Sequence, residues 1–149
     1  MAKANKGTVG VIGLGIMGGA FARNLAAAGW RVVGYDLSAA RCREAQAAGV
    51  EIASSAADVA AKVPTIITSL PKPQALIDVA RAIAAAKLKA KTIVEMSTFT
   101  ISDKEKGEKI FAKAGHTTLD CPVSGTGSQA KARDLVFYAS GDAKAIRRL

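Results

Sequence analysis

The chain has 149 residues, half of them hydrophobic, and a net charge of +9 from 21 basic and 12 acidic residues. This length predicts a single domain over residues 1–149, with enough apolar residues to bury a substantial core. No apolar run is long enough to cross a membrane, and residues 1–7 lack the apolar segment of a secretory signal. The two cysteines form neither a disulfide framework nor a metal motif, so we expect no metal site and a cytoplasmic location.

The positive charge favours anionic ligands, and among the partners considered nucleic acid is the one we expect least. The densest basic stretch contains Lys87, Lys89 and Lys91 and carries no interleaved aromatic residues. Lysines in that arrangement are typical of a solvated helix end. We therefore expect neither nucleic acid nor a membrane as a partner.

Strand and helix patterns alternate along the whole chain. Apolar and β-branched runs predict strands at residues 9–12, 31–35, 50–52, 65–69, 92–95, 117–120 and 135–139. Capping residues and apolar periodicity predict helices after residue 18, from 38, from 55, over 74–86, from a Ser102–Glu105 capping box, and a last turn from 141. Residues 122–134 lack periodicity, and we expect a functional loop there. This order predicts an α/β fold of the Rossmann type, a doubly wound, mainly parallel sheet with helices on both faces.

A glycine-rich turn, TVGVIGLGIMGGAFARNL at residues 8–25, joins the first strand to the first helix. Gly13, Gly15 and Gly18 have the G-x-G-x-x-G spacing of a dinucleotide fingerprint, in the strand-to-helix context that it requires. The first glycine permits the tight turn, the second lets a pyrophosphate approach and the third allows close helix packing. An ordinary strand-to-helix turn is the alternative. In the dinucleotide interpretation the phosphates face the backbone N–H groups of this turn, among them those of Leu14, Ile16 and Met17.

The second strand ends in Asp36, followed by Leu37, about twenty residues past the glycines. A carboxylate there binds the hydroxyls of the adenosine ribose and repels the extra phosphate of NADP, so we expect NAD as the cofactor. Arg41 and Arg43 lie just beyond and can bind a phosphate, which keeps NADP open. A helix-capping or solvated carboxylate is the alternative for Asp36.

Four segments of this chain resemble the β-hydroxyacid dehydrogenase family of the 3-hydroxyisobutyrate dehydrogenase type. The glycine turn and its helix follow the family pattern G-x-G-x-M-G-x-x-M-A-x-N-L-x-x-x-G, with Phe21 in place of the second methionine. SLPKP at residues 69–73 and EMST at 95–98 resemble the loops after the fourth and fifth strands. DCPVSGTGSQA at 120–130 resembles the substrate signature D-A-P-V-S-G-G. Together these matches cover the chain from end to end.

The resemblance implies an oxidoreductase that transfers a hydride between NAD and a small 3-hydroxy acid. It implies that Leu70 and Pro71 line the cofactor and that Thr98 contacts its nicotinamide half. It also implies that a small carboxylate is held by Ser124, Gly125 and Thr126, since backbone amides in a turn form an anion-binding concavity. A serine–glycine turn with local capping is the alternative for that segment. Thr126 replaces the usual glycine, which leaves 3-hydroxyisobutyrate, tartronate semialdehyde, succinic semialdehyde and glyoxylate open as substrates.

In this family the general acid/base is a lysine on a helix that follows the cofactor domain, and a helical domain closes the active site. The resemblance assigns all 149 residues to the cofactor domain, so we expect no catalytic residue in this chain. The only histidine, His116, is expected at the surface or in a capping role. Lys104, Lys106 and Lys109 are expected on a solvated helix face, and Lys131 near the substrate loop is a weak substitute for the missing base.

Two interpretations remain open from the sequence. In the first, residues 1–149 are the cofactor domain of a larger dehydrogenase, and apolar surface that the partner domain covers favours a homo-oligomer. In the second, the chain is a stand-alone dinucleotide-binding module without catalysis.

Overall fold

The computed structural model describes residues 6–149 and confirms the predicted Rossmann-type α/β fold. A six-stranded sheet has the order β3-β2-β1-β4-β5-β6, and every pairing in it is parallel. Its strands are β1 Thr8–Ile12, β2 Arg31–Tyr35, β3 Glu51–Ile52, β4 Thr65–Thr68, β5 Thr92–Glu95 and β6 Thr117–Asp120. The helices between them are α1 Ile16–Ala27, α2 Ala39–Ala47, α3 Ala56–Lys62, α4 Pro73–Ala85 and α5 Ile101–Lys113. The expectation that the N-terminus carries no secretory signal concerns mainly residues 1–5, which lie outside the described residues.

The strand order reverses between β1 and β4, and two apolar layers form the core on either side of the sheet. Side chains alternate along β1, so that Ile12 belongs to the apolar layer that includes residues of α3, α4 and α5, while Val11 belongs to the layer that includes residues of α1 and α2. Both residues are almost fully buried, as expected for a parallel strand covered on both faces. Each such side chain contributes about 1.5–3 kcal/mol by leaving water. The fold thereby places the loops after β1 and β4 side by side at the carboxyl edge.

The prediction of a seventh strand in the parallel sheet is wrong, and so is the loop over residues 122–134. That segment contains β7 Val123–Ser124 and α6 Gly127–Ala132, and β8 Val136–Phe137 pairs antiparallel with β7 in a separate two-stranded sheet. The chain reverses at Arg133, whose φ of 61° is in the left-handed region. This turn returns β8 toward β7 and prevents a parallel crossover. A last helix, α7, covers Ala143–Ile146.

The start of α5 differs from the predicted capping box at Ser102. The N-cap is Thr100, whose side chain accepts a hydrogen bond from the Asp103 N–H at 3.2 Å. The helix therefore begins earlier than predicted. The predicted solvated position of Lys104 is wrong, because its side chain is only 12% exposed and forms ion pairs with carboxylates at the ends of β5 and β6.

His116 is buried, with 5% of its surface exposed, so the expected surface position is wrong. Its Nδ1 accepts a hydrogen bond from the Lys91 N–H at 3.1 Å, and its ring lies edge-on to Phe111. Burial and the nearby positive charge of Lys91 lower the pKa of His116 below its usual value. The ring is therefore a structural element of the core.

Candidate dinucleotide and substrate site

Two glycines of the turn after β1 are needed for packing within the protein. Gly13 has a φ of 92°, and its N–H donates to the carbonyl of Tyr35 at 2.9 Å. A Cβ at Gly13 would overlap the carbonyl oxygen of Ser69, in the loop after β4. A Cβ at Gly18 would overlap the carbonyl oxygen of Gly13. These two positions bring the β1 loop, the β4 loop and α1 into direct contact.

Gly15 is different, because the protein itself leaves room for a side chain there. It has an ordinary φ of −69°. Apart from the adjoining residues, the Arg41 guanidinium, at 3.6 Å from Nη1, is the only group of residues 6–149 within 4 Å of the position of a Cβ. Gly15 is also the N-cap of α1 and supplies no side-chain hydrogen bond. The N–H groups of the first turn, among them those of Ile16 and Met17, lack intrahelical partners and carry the positive end of the helix dipole. The space over Gly15 therefore suits an anionic group that approaches the backbone closely.

Asp36 lies directly after β2, beside this turn, with its side chain 10% exposed. One carboxylate oxygen, Oδ2, accepts a hydrogen bond from the Leu14 N–H at 2.7 Å, and Oδ1 accepts one from the Ser38 N–H at 2.8 Å. Arg41 Nη1 lies 3.7 Å from Oδ2. Each carboxylate oxygen has a further lone pair, so the group can still accept hydrogen bonds from ligand hydroxyls.

A cleft of about 540 Å³ opens between the loops after β1, β2 and β4. Its apolar lining includes Leu37, Leu70 and Val79, with Pro71 beside them, and its polar lining includes Asp36 and Ser38. A cleft with apolar walls and a few polar groups suits a nucleoside. The predicted residues Gly13, Asp36, Leu37, Leu70 and Pro71 are thus brought together by the structure.

The loops after β4 and β5 are joined by hydrogen bonds at the same edge of the sheet. The Leu70 N–H donates to Ser97 Oγ at 2.8 Å, and the Ser97 N–H donates to Glu95 Oε1 at 2.9 Å. Thr98 follows Ser97 and is exposed. Sequence reasoning missed the Ser97 contact, because its partner lies 27 residues away.

Ser124, Gly125 and Thr126 are exposed at the start of α6. Thr126 forms a capping box with Gln129: the Thr126 N–H donates to Gln129 Oε1 at 2.9 Å, and Thr126 Oγ1 accepts from the Gln129 N–H at 3.3 Å. The local-capping alternative therefore describes Thr126. Neither the hydroxyl nor the backbone of Ser124 takes part in this capping box.

The helix that follows this segment packs against the glycine turn. A Cβ at Gly127 would lie 2.5 Å from the Ile16 side chain, and Asn24 Nδ2 donates to the carbonyl of Ala130 at 2.8 Å. Asn24 belongs to the family pattern, but sequence alone does not reveal that it links α1 to α6. Residues 124–126 consequently lie near the N-terminus of α1.

A parallel sheet with a crevice at its strand reversal, a glycine turn, a helix N-terminus and a carboxylate after β2 defines a dinucleotide-binding domain. A family model described as the NAD binding domain of 6-phosphogluconate dehydrogenase matches residues 8–149, and the chain belongs to this family.

Individual relatives show the same type of domain within longer proteins. The chain is 38% identical over 141 residues to rat (Rattus norvegicus) mitochondrial 3-hydroxyisobutyrate dehydrogenase, covering 93% of this chain and 42% of that protein. It is 30% identical over 138 residues to chloroplastic glyoxylate/succinic semialdehyde reductase 2 of Arabidopsis thaliana, covering 91% and 38%. The structure of Mycobacterium tuberculosis 3-hydroxyisobutyrate dehydrogenase with L-serine superposes with a TM-score of 0.90 at 32% identity, covering 95% of this chain and 48% of that one. The chain thus spans less than half the length of these relatives.

No helix within residues 6–149 is both long and apolar enough to span a bilayer. The same part of the chain contains no cluster of histidine, cysteine and acidic side chains that could hold a metal ion.

Proposed function

We propose that this chain is the cofactor-binding part of an oxidoreductase that transfers a hydride between NAD and a small 3-hydroxy acid. The observation that carries the proposal is the open space at Gly15. Packing against the protein explains the glycines at 13 and 18. At 15, among the described residues other than its chain neighbours, only a guanidinium lies within 4 Å of the position that a Cβ would take. A ligand that must reach the backbone of α1 gives a reason for glycine there.

Different residues of the crevice bind different parts of the cofactor. The pyrophosphate lies over Gly15, with the N–H groups of Ile16 and Met17 as donors. Asp36 accepts hydrogen bonds from the adenosine ribose, and the apolar walls at Leu37, Leu70 and Pro71 enclose the adenosine. Thr98 contacts the nicotinamide half. When bound, NAD supplies the hydride acceptor of the reaction.

The substrate carboxylate is held by the segment of Ser124, Gly125 and Thr126. Its proximity to the N-terminus of α1 supports this placement, through the contact of Gly127 with Ile16. Because the N–H of Thr126 donates to Gln129, Ser124 and Gly125 supply the donors in this arrangement, and Thr126 shapes the turn. The named activities of the relatives support a small acid or semialdehyde as substrate.

In this proposal residues 1–149 form one domain, and the general acid/base comes from a helical domain outside it.

The cytoplasmic location expected from the sequence belongs to the same proposal. It is supported by two free cysteines, and microscopy of a fluorescent fusion of the full-length protein tests it.

Calorimetric titration of the 149-residue chain with NAD and with NADP tests the cofactor assignment. We expect saturable binding of NAD and weaker binding of NADP. An assay with 3-hydroxyisobutyrate and NAD tests whether the general acid/base lies outside residues 1–149. We expect negligible turnover by this chain and activity of the full-length protein. Tighter binding of NADP would contradict the role of Asp36. Nucleotide binding without activity of the full-length protein would favour the stand-alone binding module.

A further inference from the structure

Lys104 connects the carboxyl ends of two neighbouring strands. Its Nζ lies 3.1 Å from Glu95 Oε2 and 2.5 Å from Asp120 Oδ1. Glu95 is the last residue of β5, and Asp120 is the last residue of β6. The Glu95 side chain is only 2% exposed, so its charge lies inside the protein. One ammonium group on α5 therefore bridges the carboxylates of two residues that are already neighbours in the parallel sheet.

From Glu95 the polar network continues into the loops assigned to the cofactor. Glu95 Oε1 accepts hydrogen bonds from the Ser97 N–H at 2.9 Å and from Thr68 Oγ1 at 3.4 Å. Ser97 Oγ in turn accepts from the Leu70 N–H at 2.8 Å. Lys104 is thus linked through Glu95 and Ser97 to the two loops that carry Leu70 and Thr98.

Asp120 also bonds to the chain that follows the substrate segment. The Asp120 backbone exchanges hydrogen bonds with Ser140, at 3.0 Å and 2.8 Å, which ties the chain after β8 to the end of β6. Ser124 follows Asp120 by four residues. Lys104 therefore holds the residue from which the chain leads into the substrate segment.

The electrostatics of this cluster favour a fixed geometry. Burial disfavours the charged ammonium, but the hydrogen bond to Asp120 and the attraction of Glu95 outweigh it, so the pKa of Lys104 lies above its usual value. Hydrogen bonds and ion pairs at low dielectric are strong, and a buried charge that loses its partner is costly. The ammonium consequently stays charged and bound to both carboxylates at neutral pH.

We propose that Lys104 is a positioning residue that aligns the loop of Thr98 and the segment of Ser124 around the nicotinamide half of the cofactor. Lys104 touches neither cofactor nor substrate and acts through Glu95, Ser97 and Asp120. The inference rests on the proposed function, since it concerns the same site. It assigns no role to Lys104 in the polar contacts to the adenosine half, which the loops after β1 and β2 supply.

The test compares NADH with ADP-ribose, which lacks the nicotinamide. Lys104→Met in the 149-residue chain should weaken NADH binding about 3- to 10-fold and change ADP-ribose binding less than about twofold, as expected for lost alignment of a few hydrogen bonds. Lys106→Met is the matched control: it removes a lysine from the same helix, where Lys106 is exposed and pairs only with Asp103 at 3.4 Å. We expect it to change neither affinity.

Ser97→Ala is the second variant, because Lys104→Met leaves the buried Glu95 charge unpaired and can destabilise the fold. It removes the acceptor of the Leu70 N–H and leaves the ion pairs intact. Because Leu70 also lines the adenosine cleft, we expect the affinity for NADH to fall further than the affinity for ADP-ribose. Equal loss for both ligands, or no loss for either in Ser97→Ala, would overturn the proposal. If the unmodified chain binds neither ligand, the proposed cofactor function itself fails.

Discussion

The Asp36 carboxylate accepts a hydrogen bond from the Leu14 N–H at 2.7 Å, across 22 residues of sequence. This bond joins the end of β2 to the glycine turn after β1. It holds the carboxylate in the lining of the cleft before any ligand binds. The same side chain thus has a structural and a recognition role, and the two can be separated by substitution.

Asp36→Asn should reduce the preference for NAD over NADP about tenfold, because the side chain keeps its shape but loses the charge that repels the 2′-phosphate. The amide oxygen can still accept from the Leu14 N–H, but the amide NH2 then faces the Ser38 N–H, so we expect the fold to be retained with some loss of stability. Parallel calorimetric titrations with NAD and NADP measure the ratio. Glu105→Gln makes the same change in charge on the exposed face of α5 and should leave the ratio unchanged. An unaltered ratio in Asp36→Asn would remove this residue from cofactor selection.

Gly15→Ala should separate binding from stability. In the described part of the chain, and apart from the adjoining residues, only the Arg41 guanidinium lies within 4 Å of the added methyl. We therefore expect the melting temperature to fall by no more than about 4 °C, which is the cost of alanine in place of glycine at the N-cap of α1. NADH affinity should fall at least about tenfold, because the methyl occupies the space assigned to the pyrophosphate. Thermal unfolding and fluorescence titration measure the two quantities.

Gly18→Ala provides the contrast to Gly15→Ala. Its methyl would overlap the Gly13 carbonyl oxygen, and such overpacking costs about 1–3 kcal/mol, which lowers the melting temperature by several degrees. If Gly15→Ala kept its NADH affinity, the single observation behind the proposed function would lose its meaning.

His116 should make the fold sensitive to mild acid. Its pKa in the folded chain is lowered, so the folded state favours the neutral ring. The stability that this residue contributes is complete above its unfolded pKa of about 6.5 and decreases as the pH falls from there toward the folded pKa. Melting temperatures between pH 7.5 and 5 should therefore drop more for the unmodified chain than for His116→Asn, whose amide oxygen can accept from the Lys91 N–H. Identical slopes would show that another group is responsible.

The described chain should self-associate through one face of its sheet. Two apolar cavities of about 360 and 350 Å³ share Leu25, Ile67 and Met96 in their linings and lie on the α1 side of β4 and β5. Burying such a surface is favourable, so light scattering should show dimers or larger species at high concentration. Met96→Lys should reduce the association, whereas Ile101→Lys, at an exposed position on α5, should not. A monomer at every concentration would contradict the expected homo-oligomer.

The glycine turn and Asp36 were predictable because their signal is local: residues adjacent in sequence form a strand, a turn and a helix N-terminus in order. The ion pairs of Lys104 were not, since Glu95 and Asp120 are 9 and 16 residues away and meet it only once β5, β6 and α5 have packed. The helix α6 is an intermediate case. Its capping box, Thr126 and Gln129, is a T-x-x-Q signal that sequence carries, but a helix of six residues shows too little periodicity to stand out.

The central position of β1 determines when, during synthesis, the chain becomes able to bind nucleotide. Its two neighbours, β2 and β4, enter the sheet one after the other, and Val9 aligns with Thr65 across 56 residues. The wall of the crevice opposite Gly13 is therefore missing until the ribosome has released the first seventy residues or so. A nascent chain shorter than that has the fingerprint but no pocket, so nucleotide can assist only the later stages of folding, by mass action on the completed sheet.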